Sequence, residues 1–205
     1  MKPIDRHQAP SVQAPESPAR RWVLLDRDGV INQENPGSYI LEPDQWIPIP
    51  GSVEAIARLR AAGIGVVILT NQSAIGRGLL DLPTLESIHL RLKRTLEKAG
   101  GEIAGIFFCP HHPDEGCECR KPNVGLIRQA EAALGCSLHG APLVGDQLSD
   151  LQAARRAGCR PILVRTGRGN SVALKENGLE EIATYENLSE AVSAILEDTT
   201  AHPKP

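Results

Sequence analysis

The sequence predicts an α/β protein built on a doubly wound parallel sheet. Short aliphatic runs alternate with segments of helical periodicity, the order expected of right-handed βαβ units. Several runs, above all Ile64 to Thr70, are apolar almost throughout, as strands covered on both faces are. Three of them end in polar residues, Asp26, Thr70 and Asp146, which would meet at the carboxyl edge where open α/β sheets keep their sites.

Taken in order, Arg21 to Asp26 is a strand. Asn35 to Pro50 is too rich in proline for a core element and reads as a flap near the site. Ser52 follows Pro50-Gly51 and is placed to cap a helix with Val53, Ile56, Ala57 and Leu59 inward, stopping at Gly63. After the strand Ile64 to Thr70, Leu82-Pro83-Thr84 opens a longer helix. Its apolar positions Leu85, Ile88, Leu92 and Leu96 recur at helical spacing until Gly100-Gly101. Ile103 to Cys109 is a strand that leads into a loop dense in Cys and His. Val124 to Leu134 is a helix closed by Gly135, Pro142 to Asp146 a strand, Ser149 to Ala157 a helix closed by Gly158, and Pro161 to Arg165 a strand. Glu181 to Tyr185 is a last short strand, followed by a helix from Leu188 to Leu196. Residues 1–20, with four prolines and no apolar core, read as a disordered tail, 21–198 as one domain and 199–205 as a frayed end.

The 205 residues suffice for one good core. Hydrophobic residues at 41% and charged residues at 23% are ordinary for a soluble protein, and no run approaches the ~20 apolar residues a membrane span needs. A net charge of -3 without a long basic run disfavours nucleic acid as the main ligand. Of five cysteines, Cys109, Cys117 and Cys119 sit close together and nothing argues for export, so a metal site in a reducing cytoplasm explains them better than disulfides.

The most informative residues are Asp26 and Asp28. Two carboxylates so close repel unless a cation or a shared proton offsets them, which implies a divalent ion. The alternative is a strand running into an Asp-Gly turn with both acids solvated. Thr70 could likewise simply end a strand, Lys121 could be a surface charge, and Asp146 could cap the next helix. Together, at successive strand ends, they assemble a phosphoryl-transfer site. One carboxylate can attack phosphorus and a second can exchange the proton. A hydroxyl and an ammonium can hold the equatorial oxygens, and magnesium suits the oxygen ligands.

A second constellation runs Cys109-Pro-His111-His112-Pro-Asp-Glu-Gly-Cys117-Glu-Cys119. Three thiolates and one imidazole complete a tetrahedral zinc shell, so this site is structural. The two-residue step from Cys109 to His111 mirrors that from Cys117 to Cys119 and favours His111 over His112. A metal-free loop and a Cys117–Cys119 disulfide are the alternatives.

The strings Leu25-Asp26-Arg27-Asp28-Gly29-Val30, Leu69-Thr70-Asn71-Gln72, Arg120-Lys121-Pro122 and Val144-Gly145-Asp146-Gln147-Leu148-Ser149-Asp150 together resemble the four motifs of the haloacid dehalogenase-like (HAD) phosphatases. The resemblance spans Trp22 to Arg168. It implies a Rossmann-like, capless fold with Asp26 as nucleophile, Asp28 as general acid/base, and Thr70 and Lys121 on the phosphoryl group. Magnesium would lie between Asp26, the backbone carbonyl of Asp28, and Asp146. With its zinc loop the chain resembles the heptose-bisphosphatase branch of that family, and less closely the histidinol-phosphate phosphatases.

That likeness implies a small sugar-phosphate substrate, contacts from Asp26, Arg27, Asp28, Tyr39, Thr70, Asn71, Gln72, Ser73, Arg120 and Lys121, and a cytoplasmic, monomeric enzyme serving the synthesis of nucleotide-activated heptose. Gln147 stands where some members carry a lysine, and Arg77 and Arg168 have no assigned role. Two other readings have less support. A non-catalytic zinc-stabilised binding module would require loss of Asp26 or Asp28, and a DNA 3′-phosphatase would want a basic groove.

Overall fold

The computed structural model describes residues 21–34 and 39–201, with side chains as far as residue 198. The tail expected over 1–20, the flap's residues 35–38 and residues 202–205 lie outside these. Six strands form one parallel sheet: β1 (Trp22–Leu25), β2 (Gly65–Asn71), β3 (Gly105–Cys109), β4 (Pro142–Gly145), β5 (Arg160–Val164) and β6 (Ala183–Tyr185). Their order is β3-β2-β1-β4-β5-β6, so the chain reverses direction across the sheet at β1, the switch point of a doubly wound fold.

Helices α1 (Ser52–Ala61), α2 (Ser73–Gly76), α3 (Leu82–Lys98), α4 (Gly125–Leu134), α5 (Leu148–Arg156) and α6 (Leu188–Ala201) connect and cover the strands. The two-residue alternation of β1 divides the core. Val23 and Leu25 point to a layer with Ile56 and Leu59 of α1, Leu85, Ile88 and Leu92 of α3, and Val192 of α6. Trp22 and Leu24 point to the opposite layer with Leu126, Ile127 and Ala130 of α4 and Ala153 and Ala154 of α5. Both faces of the central strands are therefore dry, which is why Gly65–Leu69 reads as a continuous apolar run. Among the described residues no connection carries a domain of its own, so the carboxyl edge of the sheet stays open, in keeping with a capless fold.

Local details depart from expectation in places. Ser52 does not cap α1. Gly51 occupies the cap position with φ +81°, and the Ser52 hydroxyl instead donates to the Ile31 carbonyl at 2.6 Å, tying α1 to the chain that follows β1. The cap of α3 is Asp81, whose carboxylate accepts from the Thr84 amide at 2.9 Å with Pro83 in the first turn. The one-turn α2 went unread because four residues carry no periodicity. The final helix continues to Ala201, beyond the expected Leu196.

Candidate active site

All ten residues expected to contact substrate line one open cleft of about 480 Å³ at the carboxyl edge of the sheet, together with Glu34, Arg77, Gln147 and Arg168. The cleft forms because β1, β2 and β4 are adjacent. Asp26 immediately follows β1, Thr70 and Asn71 end β2, and Asp146 immediately follows β4. Parallel strands release their next residues at the same edge, so three distant sequence segments deliver polar groups to one place.

Lys121 anchors the floor. Its ammonium lies 2.9 Å from Asp26 Oδ1 and 2.6 Å from Asp150 Oδ1, and donates to the Leu69 carbonyl at 2.7 Å. Burial alone would strip its proton, but Asp150 and Asp26 outweigh that and raise its pKa, so Lys121 is a fixed positive charge. A solvated surface position is excluded, because Lys121 is 3% exposed. Asn71 sets its backbone: the side-chain amide donates to the Lys121 carbonyl and accepts from the Lys121 amide, both at 3.1 Å.

Opposite it, the carboxylates are short of positive charge. Burial first, then the neighbouring Asp150 and Asp28, push Asp26 up to about 7 despite Lys121. Burial, Asp26 and Asp150 push Asp146 up to about 8. Carboxylate oxygens of Asp26, Asp146 and Asp150 lie within 4.8 Å of one another. Asp150 is taken up by Lys121 and by the Gln147 amide at 3.1 Å, which leaves Asp26 and Asp146 facing each other.

The Asp146 carboxylate accepts from the Arg168 amide through Oδ2, while its buried Oδ1 has no hydrogen-bond partner. Glycines make this arrangement possible. A Cβ on Gly29 or on Gly167 would collide with Asp146 Oδ2, and both have positive φ. Two facing buried acids, one with an orphaned oxygen, fit a hard divalent cation with oxygen ligands, and magnesium suits this donor set.

Asp28 is held differently. The Arg27 guanidinium grips it with Nε at 3.1 Å from Oδ1 and Nη2 at 2.9 Å from Oδ2, Asn32 Nδ2 donates to Oδ1 at 2.9 Å, and Gln72 Nε2 donates to Oδ2 at 2.8 Å. Burial raises its pKa, but Arg27, Asn32 and Gln72 outweigh this and hold it below the ordinary carboxylate range. Arg27 is thus spent on Asp28, and it is 1% exposed. Gln72 also donates to Thr70 Oγ1 at 2.9 Å, so it spaces the Thr70 hydroxyl from the second acid. Tyr39 reaches Ser73 Oγ at 3.5 Å across the cleft, and Arg120 keeps Nη1 buried without a partner. Glu34, just before the flap, accepts from Arg168 Nε at 3.0 Å.

Beyond β3 the cysteine loop closes on itself. The Cys109, Cys117 and Cys119 sulfurs and His111 Nδ1 lie within 4.8 Å of one another. Cys117 Sγ is 3.5 Å from each of the other two sulfurs, and His111 Nδ1 is 3.1 Å from Cys119 and 3.6 Å from Cys109. A tetrahedron with metal–sulfur bonds of ~2.3 Å has S···S edges of ~3.8 Å, so this cage fits zinc and leaves no ligand position open. All three cysteines are free, which disposes of the disulfide alternative. The shared thiol proton lowers Cys109 to about 5 through Cys119 and raises Cys119 correspondingly. His112 faces away and caps the turn Pro113–Glu115, accepting from the Asp114 amide at 3.3 Å.

Among known proteins, residues 118–191 match a HAD-hydrolase-like family model. The D-glycero-beta-D-manno-heptose-1,7-bisphosphate 7-phosphatase of Pseudomonas aeruginosa is 46% identical over 179 residues, 87% of this chain and 99% of the relative. The enzyme of the same name from Neisseria meningitidis serogroup B is 40% identical over 184 residues, 88% of this chain and 97% of the relative. The chain belongs to this family of HAD-like phosphatases. It is a phosphoric monoester hydrolase.

The crystal structure of the D,D-heptose 1,7-bisphosphate phosphatase from B. bronchiseptica, complexed with magnesium and phosphate, superposes with a TM-score of 0.82 at 46% identity, covering 87% of this chain and 99% of that one. Set beside the family's motifs, the site contains two groups that sequence reasoning did not reach, Asn32 and His89, and one flap residue, Trp46, whose contact it did not foresee. Asn32, Trp46 and His89 all feed the Asp28 shell: Trp46 Nε1 donates to Asn32 Oδ1 at 2.9 Å, and His89 Nε2 lies 3.2 Å from Arg27 Nη1. His89 gave one signal, a polar residue beside the buried stripe of its helix.

Proposed function

We propose that this chain hydrolyses the 7-phosphate of D-glycero-β-D-manno-heptose 1,7-bisphosphate, the substrate in its relatives' names, through an aspartyl-phosphate on Asp26. The observation that carries this reading is the pairing of buried Asp26 and Asp146, with Lys121 2.9 Å from Asp26 and Asp146 Oδ1 left without a partner.

Asp26, the backbone carbonyl of Asp28 and Asp146 would hold magnesium, and the relative solved with magnesium and phosphate supports that choice. When bound, the ion draws charge from the phosphoryl oxygens and keeps Asp26 ionised. The Asp26 carboxylate attacks phosphorus, while Lys121 and the Thr70 hydroxyl hold the equatorial oxygens. Asp28, ionised in the free site, would take the proton that a monoanionic phosphate ester brings with it, pass it to the departing sugar alkoxide, and then take one from the water that cleaves the acyl phosphate. Its four donors favour the ionised form that the second step needs.

Arg120, with its unpaired buried Nη1, would meet the sugar's remaining phosphate, and Tyr39 and Ser73 its hydroxyls. The Cys109, His111, Cys117 and Cys119 cage would hold zinc as a staple that fixes Arg120 and Lys121 directly after the last ligand. The product, a heptose 1-phosphate, suits a cytoplasmic, monomeric enzyme supplying nucleotide-activated heptose for lipopolysaccharide core. Among the described residues no helix is long and apolar enough to cross a membrane.

The test is phosphate release from the α and β anomers of the heptose bisphosphate, fructose 1,6-bisphosphate and histidinol phosphate. The β heptose is expected to have the highest kcat/KM, and a preference for histidinol phosphate would reassign the substrate.

A further inference from the structure

We propose that His89, on α3, is a positioning residue for the reaction: it locks the rotation of the Arg27 guanidinium, and through Arg27 it aims the Asp28 carboxylate. This rests on the reading of Asp28 as the acid and base.

Arg27 is one of the largest fully buried side chains of the molecule. Its Nε and Nη2 are spent on the two Asp28 oxygens, and its Nη1 points the other way, 3.2 Å from His89 Nε2. A guanidinium offers only donors, so Nε2 must present its lone pair and His89 must be neutral, with its proton on Nδ1. The surroundings agree with that. His89 is 8% exposed, and the groups facing it are Arg27 and Asp28 from the loop after β1 and Lys93 from its own helix. Burial first, and then Arg27, push it down to about 3, so it stays an acceptor across the working pH range.

The ring itself is fixed. It meets Phe108 of β3 edge-on at 5.8 Å, with α3 residues Leu85, Ile88 and Leu92 in the adjoining core. The imidazole is therefore a rigid stop against which the arginine fork is braced. A packing residue at this point would need no ring nitrogen, and an apolar one would leave a buried N–H without an acceptor. With the stop removed, the fork can turn, and a carboxylate that must meet the leaving oxygen in one orientation loses its aim.

The experiment compares His89→Leu and His89→Gln with the parent on two substrates: the heptose bisphosphate, whose leaving group is an alkoxide that needs a proton, and p-nitrophenyl phosphate, whose leaving group does not. His89→Leu is expected to lose about tenfold or more in kcat/KM on the heptose bisphosphate and less than about threefold on the aryl ester. His89→Gln, whose amide oxygen can take the Nε2 position, should recover most of the loss. If His89→Leu does not fold, His89→Asn carries the same test, because its amide stops short of Arg27. An equal fall on both substrates in a folded variant, or no fall on either, overturns the proposal. Asp28→Asn separates the two levels. Turnover of the heptose bisphosphate by that variant at the parent's rate refutes the reading of Asp28 itself. Its inactivity beside an unimpaired His89→Leu overturns only the role given to His89.

Discussion

Asp150 touches neither of the groups expected to react, yet Asp150→Asn should disturb both stability and turnover. The native carboxylate sits 2.6 Å from Lys121 Nζ and accepts from the Gln147 amide through its other oxygen. At an effective dielectric of ~20 the attraction between two charges that close is about 6 kcal/mol, most of it offset by the cost of burying them. The carboxamide that replaces it can still accept from the Gln147 amide, and Lys121 keeps Asp26 and the Leu69 carbonyl, so the loss falls short of a bare buried charge. A net cost of about 3 kcal/mol is the reasonable expectation, or about 6–12 °C in melting temperature for a chain of this size.

Turnover should fall about 10- to 100-fold, because an ammonium drawn onto Asp26 alone both blunts the nucleophile and leaves the phosphoryl oxygens. Thermal melts and steady-state kinetics at saturating magnesium read both effects. A variant melting within about 2 °C of the parent with kcat within about twofold would show that the Asp26–Lys121–Asp150 chain of charges does not organise the site.

Three further outcomes follow from the carboxylate site and the cysteine cage. Asp26 and Asp146 have folded-state pKa values raised to about 7 and about 8, above their unfolded value, so between about pH 4 and pH 8 the folded chain holds protons that the unfolded chain has released. Without magnesium, stability should therefore fall as pH rises through that window. Magnesium, which needs both acids ionised, should stabilise more at pH 8 than at pH 6, and melts that show the opposite slopes would contradict the assignment of these two acids. Cys117→Ser should lower the zinc content and the melting temperature, and should weaken turnover through Arg120 and Lys121. Unchanged zinc by elemental analysis would remove the cage from the account.

The parts of the site that the sequence announced are those tied to strand ends and to fixed spacing. Asp26, Thr70 and Asp146 could be placed together from the sequence, because parallel strands deliver their next residues to one edge. The cage of Cys109, His111, Cys117 and Cys119 was legible because ligand spacing within one loop is a local property. What stayed hidden depends on the path of the chain between elements. Asn71 reads as a substrate ligand, yet its amide is committed to the Lys121 backbone. Arg27 reads the same way and is committed to Asp28 and His89. The Trp46–Asn32 bond and the Glu34–Arg168 pair join segments whose approach no periodicity encodes. Ser52 shows the limit in a single residue. Its hydroxyl is a good helix cap by type, but a closer carbonyl took it.

The most direct measurement captures the covalent step. Asp28→Asn enzyme mixed with p-nitrophenyl phosphate, whose leaving group needs no proton, and magnesium, then quenched in acid and reduced with borohydride, should yield a peptide in which residue 26 has become homoserine. An unmodified Asp26 in an enzyme that still releases phosphate would contradict the aspartyl-phosphate route.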